Sequence, residues 1–403
     1  MNLFRKSDLY LVIIYVLFSG LIIVRVVSES THYMSPDSVF YLTIAENLVN
    51  GLGLVSPDPY VFPIEDPTNL RPMTVWSPGY PILIATFMWT FGVSGLIASK
   101  AINLICIAFM LILLRSISKN HAWIYALLLF SFSGIWICSY SWSEVPFLLI
   151  LTAYYVQIRS YILQNRKEEI ATNYVLPILL SAMFFMRYAG VFIIFGHILL
   201  CIVLLMPRKN FVNPKYFLPM MVPLLVILVY VIRNFIADGT YFGPRFLVNS
   251  RSYISYLSMI VEGIWREFLY VQKYPGQSKL VFVVPILIQV YFMIKLFKMY
   301  RSRSISQQKS KFFLLRNAIF IISFAYLFLL IISRFRVGFE DLNYRFFAPA
   351  TFIMLYLWID YHRIKFPNDL SALKLPLTVL AVLAYVVNLP KQYILDVLLD
   401  FLR

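Results

Sequence analysis

Residues 9–27 read LYLVIIYVLFSGLIIVRVV, nineteen positions with a single charge, Arg25. A helix needs about 20 apolar residues to cross the hydrocarbon core of a bilayer. No small-residue cleavage site follows this stretch before Ser28-Glu29-Ser30, so it predicts a permanent first span and not a cleaved leader. Ten more apolar runs follow, at 97–114, 122–139, 145–162, 173–186, 189–206, 216–235, 280–297, 312–333, 346–361 and 375–390. The composition agrees: the 403 residues are 61% hydrophobic and 13% charged, against about a quarter charged in a soluble chain. Such a chain has too little polar surface to cover itself in water. The expectation is an all-α integral-membrane protein, one polytopic domain over 1–403 with about 11 transmembrane helices.

The run from Tyr80 to Phe91 decides the topology. It is short, follows Pro78-Gly79 and Pro81, and ends at Gly92. If it crosses, every later loop inverts and the basic segment Lys295–Arg316 falls on the opposite side from the N-terminus. If it lies along the interface, the segments carrying Arg5, Lys6, Arg115, Lys119, Arg159, Arg166, Lys167, Arg208, Lys209, Lys215, Lys295–Arg316, Arg363, Lys365 and Lys374 all fall on one side. Twenty of the 35 basic residues, but only five of the 19 acidic ones, then face inward, as the positive-inside rule requires. The net charge of +16 thus reports topology, and an anionic inner leaflet accounts for it. No nucleic-acid partner is expected. Residues 28–96 become a first outer loop. Its helical pattern at Ser38–Asn50, stopped by Asn50-Gly51-Leu52-Gly53, and the run 80–91 predict interfacial helices. Residues 236–279, rich in Tyr and carrying Trp265, form a second outer segment.

Charged groups at membrane depth are costly, so their positions suggest function. On this topology they gather at the outer face: Asp37 in Ser35-Pro36-Asp37-Ser38, Glu144 in Ser143-Glu144-Val145-Pro146, Arg187 in Met186-Arg187-Tyr188, Arg233 before Asn234, Arg245 after Pro244, and Arg334, Arg336 and Arg345 around the last outer loop. A carboxylate can take a proton from a hydroxyl, and Arg offers a planar fork to phosphate oxygens. Asp37 and Glu144 are the candidate catalytic acids, and Arg187, Arg233, Arg245 and Arg345 the candidate phosphate ligands. Each has a plainer reading. Asp37 can be the N-cap of the helix it precedes, Glu144 can complement the dipole of its span, and an outer Arg can snorkel.

Zinc chemistry has no support, because His32, His121, His197 and His362 form no HxxxH or HExxH. Cys106, Cys138 and Cys201 sit in apolar runs with no CxxC spacing and read as reduced core residues. No cofactor is demanded, although two outer carboxylates leave room for a divalent metal. A transporter or flippase for an anionic lipid-linked sugar is the competing function. It predicts two related halves and a midplane site, neither of which the sequence displays.

The fragments Asp37-Ser38-Val39-Phe40-Tyr41-Leu42 to Asn47-Leu48, Gly51-Leu52-Gly53, Trp76-Ser77-Pro78-Gly79-Tyr80-Pro81, Ser143-Glu144-Val145-Pro146-Phe147, Arg187-Tyr188-Ala189-Gly190, Arg233-Asn234, Gly239-Thr240-Tyr241, Gly243-Pro244-Arg245 and Tyr344-Arg345, in this order, resemble polytopic GT-C glycosyltransferases. The likeness is to bacterial members akin to protein O-mannosyltransferases and aminoarabinose transferases. The resemblance implies membrane helices with interfacial helices in the first outer loop, a polyprenyl-phosphate-linked sugar donor, inversion at the sugar, and Asp37 as base. It also implies a site facing outward from a bacterial inner membrane, with membrane lipids as surroundings and a glycan, lipid or protein as acceptor. Within the matching fragments, Tyr41, Trp76, Tyr80, Tyr188, Tyr241 and Tyr344 are the aromatic candidates for substrate contact. Two features depart from the pattern: Asp37-Ser38 stands where many protein mannosyltransferases carry Asp-Glu, and the large soluble C-terminal domain of several relatives is missing from this sequence.

Overall fold

The computed structural model describes residues 6–58, 69–205, 214–243, 254–258, 260–261, 307–336, 342–365 and 370–391, with single helical positions at 287, 290, 291, 294, 393 and 394. Arg245, most of the second outer segment and nearly all of the expected run 280–297 lie outside these residues. In chain order the helices are α1 Lys6–Ser28, α2 Pro36–Val49, α3 Gly79–Phe91, α4 Gly95–Ile117, α5 Ala122–Ala126, α6 Phe132–Ser139, α7 Glu144–Leu163, α8 Glu169–Thr172, α9 Val175–Met186, α10 Gly190–Leu205, α11 Pro214–Asp238, α12 Gln307–Arg336, α13 Tyr344–Lys365 and α14 Ser371–Asn388. A ribbon pairing Val55–Ser56 with Arg71–Pro72 is the only strand structure among the described residues.

Apart from 280–297, every expected apolar run coincides with helix. Not every run is a full-length span. Among the described residues, five stretches are long and apolar enough to cross a membrane: Lys6–Ser28, Gly95–Ile117, Glu144–Leu163, Leu218–Asp238 and Lys311–Phe335. The run 122–139 is broken by a 69° bend, because a 3-10 turn at Leu127–Phe130 ends α5 and Ser131 starts α6 afresh, its hydroxyl accepting from Gly134 N at 3.1 Å. Helix α1 is apolar all round, with Leu11, Phe18, Leu21 and Ile22 packed inward and Leu9, Val12, Val16 and Ile23 exposed. A helix of that kind needs lipid, not water, on its outer face.

Polar contacts sort the helix ends into two layers. At one end, Arg115 binds Asp8 through two nitrogens, at 2.6 and 3.0 Å. Arg363 donates to Ile117 O, and Lys311 to Leu163 O. Asp360, fully buried, accepts there from Tyr125, Tyr155 and Arg159. The other end holds Asp37, Glu144, Arg187 and Arg345, and also Arg25, which reaches Ser139 and the last residue of α14, Asn388. Helix α3 packs against α2, the start of α4 and the end of α9 at this second end. Its first residue, Gly79, lies so close to the C-terminus of α9 that a Cβ would sit 2.6 Å from Phe185 O. Its far end, at Met88, lies beside Gly95 with Leu42 and Glu46 of α2. Its 13 residues extend roughly 20 Å, short of a ~30 Å hydrocarbon core.

Candidate active site

Four helices that are distant in sequence bring one cluster together. Helix α2 begins with Ser35 as N-cap and Pro36 at its first position, which puts Asp37 in the first turn. The hydroxyl of Ser35 accepts from Ser38 N at 3.3 Å, so the cap is Ser35 and not Asp37. Glu144 opens α7, where the helix dipole favours a carboxylate. Arg187 ends α9, its N–H donating to Met183 O at 2.9 Å. The tight turn that follows needs glycine at 190, because a Cβ there would stand 2.6 Å from the backbone of Met183 and Phe184. Arg345 lies in the first turn of α13.

The two carboxylates share Arg345. Its Nη1 is 2.7 Å from Asp37 Oδ2, and its Nε donates to Glu144 Oε1. Arg187 Nη1 stands 2.6 Å from the same Glu144 oxygen. Trp76 Nε1 donates to Asp37 Oδ1 at 3.2 Å, and its ring stacks on Phe40 with centroids 4.6 Å apart. Tyr41 and Tyr80, both buried, form the floor, with ring centroids 5.3 Å apart and the Tyr41 hydroxyl 3.3 Å from Ser143 Oγ.

Access separates the two acids. The Asp37 side chain is 33% exposed and that of Glu144 only 2%. An incoming hydroxyl can therefore reach Asp37 and cannot reach Glu144. Burial pushes the Asp37 carboxyl up, but the charge and hydrogen bond of Arg345, the Trp76 hydrogen bond and the charge of Arg187 outweigh it and leave it below its ordinary value. Among the described residues, Glu144 is the only ion-pair partner of Arg187, which leaves that guanidinium with donors for another anion.

Arg233 belongs to a neighbouring network. It donates to Met73 O at 2.6 Å and to Asn234 Oδ1 at 3.0 Å. Asn234 donates to Tyr241 O and to the Tyr188 hydroxyl, which itself donates to Thr74 O at 2.8 Å. Thr74 in turn donates to Asp238 Oδ2 at 2.8 Å. This network anchors the backbone of residues 73–74 just before Trp76, and Tyr241 adds a ring stacked on Phe235. On the far side of Arg345, Tyr344 packs against Phe132 and Trp136. Beyond Trp136 a cleft of about 430 Å³ opens beside Arg25, Tyr33 and Asn388, away from the carboxylates. Arg245 lies outside the described residues. Sequence reasoning missed Trp142, Ser143, Thr74 and Asp238. Trp142 and Ser143 directly precede Glu144, and an indole and a hydroxyl in that turn were the available signal.

Among the described residues no three His, Cys, Asp or Glu side chains form a group able to hold a metal ion. Both carboxylates face guanidinium groups.

No protein-family profile matches the sequence, and no curated protein does. The solved structure of ArnT from Cupriavidus metallidurans bound to undecaprenyl phosphate superposes on 87% of the chain with a TM-score of 0.51 and 11% identity. The chain shares the fold of ArnT. The apo structure of ArnT gives a TM-score of 0.50 over 86% of the chain at 13% identity. The match takes in 60% of the ArnT chain in the lipid-bound structure and 59% in the apo structure, so this chain spans about three fifths of the length of ArnT. At such identity the likeness to ArnT concerns the arrangement of helices alone. The chemistry rests on the side chains described here.

Proposed function

We propose that this protein is a membrane glycosyltransferase that moves a sugar from a polyprenyl-phosphate-linked donor to an acceptor hydroxyl, at a site facing outward from a bacterial inner membrane. The observation that carries the reading is the pairing of one accessible carboxylate, Asp37, with the largely buried guanidinium groups of Arg345 and Arg187. Asp37 takes the proton as the acceptor oxygen attacks the anomeric carbon. The carbon–oxygen bond to phosphate breaks, its electron pair stays on the phosphate oxygen, and the polyprenyl phosphate leaves with inversion at the sugar. Charge grows on that oxygen in the transition state, where preorganised donors stabilise most. Arg187, with donors to spare, takes this role. Arg345 ties the two acids together, and Glu144 keeps both arginines in place. Arg233 acts through the 73–74 backbone, and Arg245 stands as a further phosphate ligand. The acceptor, whether glycan, lipid or protein, meets Asp37 from its exposed side, with Trp76, Tyr188, Tyr241 and Tyr344 around it.

The fold shared with ArnT, whose solved structure contains undecaprenyl phosphate, supports a lipid-phosphate donor. The test is reconstitution with a doubly labelled polyprenyl-phosphate sugar. Loss of sugar from the lipid supports the transferase. Redistribution of the intact lipid across the bilayer would mean a flippase and would overturn the reading.

A further inference from the structure

Trp142 lies in the turn between α6 and α7, two residues before Glu144, and is 5% exposed. Its indole Nε1–H donates to Ser35 Oγ at 2.6 Å. Its ring lies 4.4 Å from the guanidinium carbon of Arg345 and stacks on Tyr140, 4.0 Å away and within 5° of parallel. Ser35 is the N-cap that starts α2, and its hydroxyl also pairs with Ser38 Oγ at 3.1 Å. Asp37 lies two residues further on. One rigid side chain thus grips both members of the Asp37–Arg345 pair: the helix start that carries the carboxylate, through its N–H, and the guanidinium, through its ring. A buried indole normally finds a partner for its N–H, and a ring face attracts a cation. Here the two ordinary requirements converge on the two sides of a single ion pair.

We infer that Trp142 is a positioning residue that fixes Asp37 and Arg345 relative to each other. The inference rests on the proposed role of Asp37 as proton acceptor, but its structural content is separable from that role. Phe at 142 keeps an aromatic ring beside Arg345 and Tyr140 and removes only the N–H, so the start of α2 is released while the guanidinium stays. Asp37 is faced by Arg345 from α13, Arg187 from the end of α9 and the Trp76 N–H from the segment after the ribbon, with Tyr41 on its own helix and Glu144 on α7 nearby. An opposite charge within about 4–6 Å lowers an Asp pKa by about 1–3 units, so a loosened Arg345 contact moves its titration upward by about one unit.

The experiment uses the full chain in lipid nanodiscs and two readouts. Infrared titration follows the Asp37 carboxyl band, assigned by its loss in Asp37→Asn. The pH dependence of kcat and KM is measured with labelled polyprenyl-phosphate sugar. In Trp142→Phe the Asp37 band should titrate about one pH unit higher, and kcat should fall about tenfold with donor KM unchanged. Ser35→Ala breaks the same hydrogen bond from the other side and should give the same shift, and the double variant should add little to either single one. Ser35→Ala also serves if Trp142→Phe does not fold. An Asp37 titration unchanged in both variants overturns the inference. If the wild-type protein transfers no sugar, the functional reading fails, and the infrared shift alone still decides the role of Trp142.

Discussion

Asp37 receives Arg345 Nη1 at 2.7 Å from the same guanidinium whose Nε binds Glu144. Arg345 therefore makes a bridge, and the accessible acid and the sealed acid are held as one unit. The consequences can be tested one residue at a time.

Asp37→Asn should fold normally, because Ser35 provides the helix cap. General-base catalysis contributes about 10² to 10⁴ in rate, and sugar release should drop by at least the lower figure while donor lipid still binds. Asp37→Ala should behave the same way. Near-normal turnover in the Asn variant would remove Asp37 from the chemistry.

Arg187 and Arg233 should separate. Lys at 187 keeps a charge but loses the planar fork, so donor affinity and turnover should both fall at least tenfold. Lys at 233 should chiefly disturb the 73–74 backbone, which Arg233 holds through Met73 O. Limited proteolysis between residues 69 and 78 should speed up in Arg233→Lys and stay at the wild-type rate in Arg187→Lys. Equal donor affinity in wild type and Arg187→Lys would return Arg187 to a structural role.

The pH profile should follow the carboxyl of Asp37, which lies below its ordinary value. A depressed carboxyl adds stability above its unfolded-state pKa, and that contribution is lost as pH falls through the folded-state value. Activity should likewise persist to a pH below the ordinary carboxylate range. Arg345→Gln removes the main lowering charge, so the acid limb of kcat/KM should move up by about one unit or more. An acid limb that stays in place would show that another group sets it.

The opposite end offers a control. Asp360 is fully buried among Tyr125, Tyr155, Arg159 and Arg363. Breaking a buried ion pair by removing one partner costs about 3–5 kcal/mol. Asp360→Asn should lower the unfolding temperature in detergent substantially and leave turnover per folded molecule unchanged. Loss of turnover in fully folded protein would mean that the two ends are coupled.

Cysteine labelling tests the topology. Cys106, Cys138 and Cys201 are buried and should stay silent. Ser94→Cys, at the start of α4, should react with an impermeant reagent from the outside, and Lys119→Cys, just beyond its end, only from the inside. Ser94→Cys reacting only from the inside, with Lys119→Cys reacting from the outside, would contradict the arrangement of α3.

Much of the architecture was legible in the sequence. The runs that became α1, α4, α7 and α11 stand out because lipid-facing helices must be apolar on every side, and charge sorting alone set the expectation that 80–91 lies along the interface. The break at Ser131 was not visible, because a run of apolar residues looks the same straight or bent. The candidate list of Asp37, Glu144, Arg187 and Arg345 was also legible, since a charge beside an apolar span is costly enough to announce itself.

What each charge does was decided only by the tertiary structure. Arg345 and Glu144 are 201 positions apart, and nothing local links them. Arg233 resembles Arg187 in sequence, each beside a polar or aromatic neighbour at a span end, yet one binds a backbone carbonyl and the other a buried carboxylate. The cost of burying a charge is a local property that a sequence displays. The partner that offsets the cost is supplied by whichever helix packs alongside, and only the folded bundle determines that.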